Sequence, residues 1–95
     1  MNYKKFLKDP RCKVGTRCFA AYGTLVLQYE ILFVRGDEVY AQEVKDGALF
    51  QPDSIKLPTY VEYFLNEADA LVHDIQYMQD LIAKHEARLS KVWGG

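Results

Sequence analysis

Two histidines, two cysteines, a run of cations threaded with aromatics and several strand-spaced tyrosines are the residues here whose types suit chemistry. His73 and His85 stand twelve apart in a stretch of helical periodicity, which turns them about 120° from one another round the axis. They share no face, and no neighbouring acid completes a metal-ligand or triad spacing. Cys12 and Cys18 are separated by five residues without a CxxC pair, and two cysteines do not make a secreted disulfide framework, so they read as reduced structural thiols. Arg17 beside Cys18 is an arrangement that lowers a thiol pKa, yet strand alternation turns Cys18 inward, where it reads as core. No P-loop, GxGxxG or GxSxG signature occurs. The expectation is a protein without catalysis, cofactor or metal.

The cations are concentrated. Lys4, Lys5, Lys8, Arg11, Lys13 and Arg17 face one acid, Asp9, giving residues 1 to 18 a net +5, while residues 19 to 58 and 59 to 95 carry −3 each and the whole chain −1. Tyr3 and Phe6 interleave with these cations, a composition suited to an acidic protein surface or to nucleic acid, where cations neutralise phosphates and aromatics stack on bases. The pI of 6.1 is not that of a dedicated nucleic-acid binder. A protein partner is therefore the first expectation and nucleic acid the alternative.

The element that must position these residues is a long helix predicted over 59–93. Val61, Ala68, Ile75, Ile82 and Leu89 fall at heptad position a, and Phe64, Leu71, Met78, His85 and Val92 at d. Nine of these ten seam positions are apolar, the pattern of a coiled coil. Thr59-x-x-Glu62 reads as a capping box after Pro58, acids crowd the first half and Lys84, Arg88 and Lys91 the end, and Gly94-Gly95 stop it. Tyr60, Leu65, Val72 and Leu81 widen the apolar face in its first two thirds, so that part is expected to pack on the preceding domain as well as on a partner helix. His73 falls at an outer position and reads as solvated. Burial of His85 between helices would disfavour a charged imidazole, predicting an association that weakens as the pH falls.

Ahead of the helix the chain reads as strands. Asn2 caps a short turn through Tyr3, Phe6 and Leu7 that Asp9-Pro10 ends. Strands follow at 13–22, 24–34, 38–44, 48–51 and 55–57, joined at Gly23, at Arg35-Gly36-Asp37, at the hairpin signal Asp46-Gly47 and at Pro52-Asp53-Ser54. Five short strands with tight turns predict a small antiparallel barrel. The fold class is α+β: a five-stranded curled sheet followed by one long C-terminal coiled-coil helix.

Val14-Gly15-x-x-Cys18-x-Ala20-x-Tyr22, then Tyr29-Glu30-x-Leu32 and Gly36-Asp37-x-Val39, resemble the opening of a Tudor domain and, more loosely, of other SH3-like barrels. The resemblance spans residues 13–57 and implies a curled sheet that binds ligands without catalysis. In Tudor domains that read methylated lysine or arginine, aromatics of adjoining strands hold the cation by cation–π attraction. Tyr22 and Tyr29 match two such places, but Ala41 stands where the third strand would supply an aromatic, and Lys45-Asp46 replace the aromatic turn. Tyr22, Tyr29, Phe33 and Tyr40 are therefore expected first as core and rim of a small barrel, with the cage as the alternative.

A single domain is expected over 1–95, comprising a basic segment 1–12, a barrel 13–57 and the helix 59–93. That helix would be about 50 Å long, against about 30 Å for a compact globule of this size. The overhanging seam predicts a homodimer, antiparallel in preference to parallel because Ala68 then meets His85 and Glu67 approaches Arg88. With no apolar run long enough to span a bilayer and no leader, the expected location is cytoplasmic. The function expected is that of an adaptor or inhibitor, presenting Tyr22, Tyr29, Tyr40 and the six cations to a partner.

Overall fold

The computed structural model describes residues 1–49 and 54–94. It is α+β, with an antiparallel sheet and a long C-terminal helix. Helix α1 (Tyr3–Lys8) leads into β1 (Arg17–Tyr22), β2 (Leu25–Arg35), β3 (Glu38–Lys45), β4 (Ala48–Leu49), β5 (Ile55–Lys56), β6 (Glu62–Phe64) and α2 (Glu67–Trp93). The sheet order is β4-β3-β2-β1-β6, with β5 also on β3. β4 pairs the end of β3 at Val44 and Lys45, whereas β5 pairs its middle at Tyr40 and Ala41. β6 forms the opposite edge and, among the described residues, does not pair with them, so the sheet stays open rather than closing into a barrel. Of the expected features, Phe50 to Asp53 and Gly95 lie outside the described residues.

Sequence chemistry accounts for the meander. β2 is rich in branched and aromatic residues, and its hairpin with β3 turns at Gly36, whose φ of 63° suits glycine. At Asp46-Gly47 both residues have positive φ, 53° and 79°, as the mirror-image hairpin turn requires. The register shifts between Ile31 and Phe33, a bulge that leaves Ile31 in the core while Phe33 stacks on Tyr40 at the surface.

The core lies between α1 and the inner face of the sheet. Tyr3 and Phe6 of α1 are buried with Cys18, Ala20, Tyr29, Ile31, Val39, Ala41, Leu57 and Tyr63. Asn2 caps α1 as expected, accepting from the Lys5 amide at 2.9 Å. The Tyr3 hydroxyl donates to the Asp37 carbonyl at 2.5 Å and accepts from the Val39 amide, tying α1 to the β2–β3 hairpin. The other face of β1 is covered by the start of α2, which is why Phe19 and Ala21 are buried too.

The helix begins at Glu67, not at Thr59. Val61, Tyr63 and Leu65 all pack into the core, an alternation with the strand period of two, and β6 pairs with β1 through Ala20 opposite Tyr63. Two ring contacts decide the competition: Tyr63 stacks on Phe6 at 4.6 Å and meets Tyr3 edge-on at 6.0 Å. Asn66, rather than Thr59, is the cap, its side chain accepting from the amides of Ala68 and Asp69. Val61 and Phe64 therefore leave the helical seam. The expected capping box and the first heptad of the seam give way to a bend over 59–61 and to β6.

Candidate interaction surface

Three groups of residues bear on recognition: the face of α2, the cations of the first eighteen residues and the aromatics of the sheet. Each is placed by a different element.

α2 packs on the sheet over its first turns alone. Ala70 is fully buried, and His73 and Asp74 are half-buried. The His73 ring lies 5.2 Å from that of Phe64, and the Tyr77 ring sits about 3.7 Å from the position a Cβ on Gly23 would take. His73 is thus not the solvated outer residue its heptad position implies. Its Nδ1 and Oδ1 of Asp74 are buried without a hydrogen-bond partner. Tyr60, Val72 and Leu81, expected to pack on the sheet, are exposed, with Tyr60 at 83%. Leu65 packs on the core from outside the helix.

At 100° per residue, the seam is centred about 100° round the axis from this packed side. The sheet therefore leaves it uncovered. Leu71, Ile75, Met78, Ile82, Leu89 and Val92 are all exposed, as are Ala68 and His85, and Trp93 at the end is 80% exposed. From Ile75 to Gly94 every residue is exposed. The helix measures about 40 Å and projects from the sheet, giving the molecule a long axis of 56 Å against 27 and 21 Å across. Beside its start, Leu71 and Glu67 form one wall of a groove of about 440 Å³ whose other walls include Phe19, Leu25, Glu43 and Val44.

The basic segment is divided. Lys4, Lys5 and Lys8 project from α1 and are exposed, as is Lys13. Arg11 is held by Asp9 through two side-chain bonds at 3.0 and 2.9 Å, and hydrogen bonds from Arg11 hold the Asp9 carboxyl down at about 2. Arg17 pairs with Glu30 at 3.1 Å and reaches the Gly47 carbonyl. Compared with protein-family models, with curated proteins and with solved structures, the chain matches none.

The aromatics are divided as well. Tyr29 is 3% exposed and belongs to the core, its phenol pushed up by burial and by the Tyr22 hydroxyl 3.4 Å away. It has no free face for a cation, so Tyr22 and Tyr29 do not form two walls of a surface cage. Tyr40 is half-buried on the outer surface, stacked on Phe33 at 4.5 Å, with the Arg35 guanidinium 5.5 Å above its ring and its hydroxyl donating to Glu38. Cys18 is buried, which pushes its thiol up to about 12, and burial also raises Cys12. Neither has the depressed pKa of a nucleophile. An open cleft of about 860 Å³ lies beside α1, lined by Tyr3, Lys4, Leu7, Glu38, Lys56 and Thr59 among others. Sequence reasoning missed it because β5 and the β2–β3 turn reach α1 only through the fold.

Proposed function

We propose that this protein is a non-catalytic, dimeric interaction module, an adaptor or inhibitor, that pairs through α2 and binds a partner protein through the exposed lysines of α1 and the adjoining sheet surface. The observation that carries the reading is the ridge on α2, which the sheet leaves uncovered and which is apolar at every position except His85. On this reading the curled sheet serves as an SH3-like or Tudor-like binding platform, supported by the β1–β2–β3 meander with β4 and β5 sharing the edge of β3. Ligand contacts then fall to Tyr40, Lys4, Lys5, Lys8 and Lys13, because Tyr29 is core and Arg11 and Arg17 are already paired. Pairing two such heads doubles the valency of the module.

Sedimentation equilibrium tests the first half, with a dimer expected at micromolar concentration and a monomer refuting it. The second half is tested by affinity capture from the native cell with wild-type protein and a Lys4→Glu, Lys5→Glu, Lys8→Glu variant, alongside a gel shift at two salt concentrations. A co-purifying protein lost in the variant supports the reading. A nucleic-acid shift that collapses steeply with salt and with the same substitutions replaces it by nucleic-acid binding.

A further inference from the structure

The dimeric reading leaves open how two ridges meet, and the observed start of α2 narrows it. We propose that a second copy of this chain lies antiparallel along the ridge in the register that sets Leu71 opposite Leu89 of the partner subunit. The inference rests on the dimer proposed above and specifies its geometry.

Antiparallel helices pair an a position with a d position across the interface. With α2 running from Glu67 to Trp93, one register aligns the two helices end to end. It sets Ala68 opposite Val92 of the partner subunit, Ile75 opposite His85 of the partner subunit and Met78 opposite Ile82 of the partner subunit. Every exposed apolar ridge position is then covered. The alternative that sets Ala68 opposite His85 would place Leu89 and Val92 against Phe64 and Val61, which are not helical but belong to β6 and its approach.

Charge complementarity favours the same register. The flank of α2 between its packed side and the ridge carries Glu67 and Asp74 near the start and Arg88 near the end. In the proposed alignment Asp74 faces Arg88 of the partner subunit, twice by symmetry. The partner helix ends at the groove beside Leu71, whose lining carries three acids, Glu67, Glu43 and Asp46, against one cation, Lys45. The end that arrives there carries Arg88 on the flank of the ridge. A parallel pair would instead set Asp74 against Gln79 of the partner subunit, which supplies no opposite charge, and bring two acidic starts together.

The test uses cysteine pairing in full-length protein carrying Cys12→Ser, since Cys18 is buried. Leu71→Cys and Leu89→Cys variants are prepared separately and mixed, then oxidised mildly with copper phenanthroline. A disulfide-linked dimer is expected from the mixture and from neither variant alone. Self-linking of either variant overturns the antiparallel arrangement, and a dimer in sedimentation that gives no mixed link overturns the register. In both cases the dimer itself stands. A monomer in sedimentation overturns the dimer and this geometry together. Charge reversal gives a second readout independent of the cysteines: Asp74→Arg or Arg88→Asp alone should weaken the dimer about tenfold, and the two together should restore it. Failure of the double variant to recover removes the Asp74–Arg88 pairing.

Discussion

Tyr63 and Tyr60 stand three residues apart in a stretch whose heptad spacing would make Tyr60 a flanking interface residue and Tyr63 an outer one. Their exposures are the reverse, 83% for Tyr60 and 0% for Tyr63. Truncating Tyr63 to alanine removes a ring stacked on Phe6 and set edge-on to Tyr3, and deletions of buried aromatics cost about 3–5 kcal/mol. The gentler Tyr63→Phe keeps the ring and removes the donor that reaches the Pro58 carbonyl at 2.5 Å, which should cost about 1–2 kcal/mol. For a chain of this size that lowers the melting temperature by about 5–10 °C. Tyr60→Ala should fall within about 0.5 kcal/mol of wild type. The assay is urea denaturation followed by circular dichroism at one fixed protein concentration, because pairing makes apparent stability concentration-dependent. If Tyr60→Ala destabilises as much as Tyr63→Ala, or Tyr63→Ala stays within about 1 kcal/mol of wild type, Glu62–Phe64 is not the strand described and the core between α1 and β6 is wrong.

Asn66→Ala should destabilise α2 by about 1 kcal/mol through loss of its cap, whereas Thr59→Ala should be neutral, as read by urea titration. Burial of Cys18 raises its thiol to about 12, so the native state favours the protonated form; the stability this contributes is present below about pH 8.5 and is lost as pH rises toward 12. Iodoacetamide at pH 8 should accordingly label Cys18 only in denaturant, and fast labelling of the native protein would refute its burial. Asp9 is the opposite case, its carboxyl held down at about 2 by Arg11; its contribution is present above the ordinary carboxylate value and is lost as pH falls toward 2. An NMR titration should show that midpoint near 2 and its return to the ordinary range in Arg11→Ala.

Local chemistry made much of the architecture legible in advance. The caps and turns of the first half depend on a few neighbouring residues, so Asn2, Gly36 and Asp46-Gly47 could be placed from sequence. Inward alternation likewise placed Cys18 and Ala20 in the core. The helix start could not be read from heptads, because Val61 and Phe64 satisfy a three-and-four spacing as well as a strand does. The deciding signals were the period-two set Val61, Tyr63 and Leu65 and the acids Glu67 and Asp69 following Asn66, and their weight came from α1, a partner distant in sequence. The cations of the basic segment look equivalent in sequence, yet Asp9 and Glu30 engage Arg11 and Arg17 while leaving the lysines of α1 open. Long-range folding also decided that Tyr29 turns inward.

Only Leu65 and Asn66 separate β6 from α2, and so short a junction makes the helix a lever rooted in the sheet. A tilt of about 5° at the root moves a tip 40 Å away by about 3.5 Å. Load on the far end of the rod is therefore borne by this junction and by Ala70 and His73, which seat the helix on the sheet.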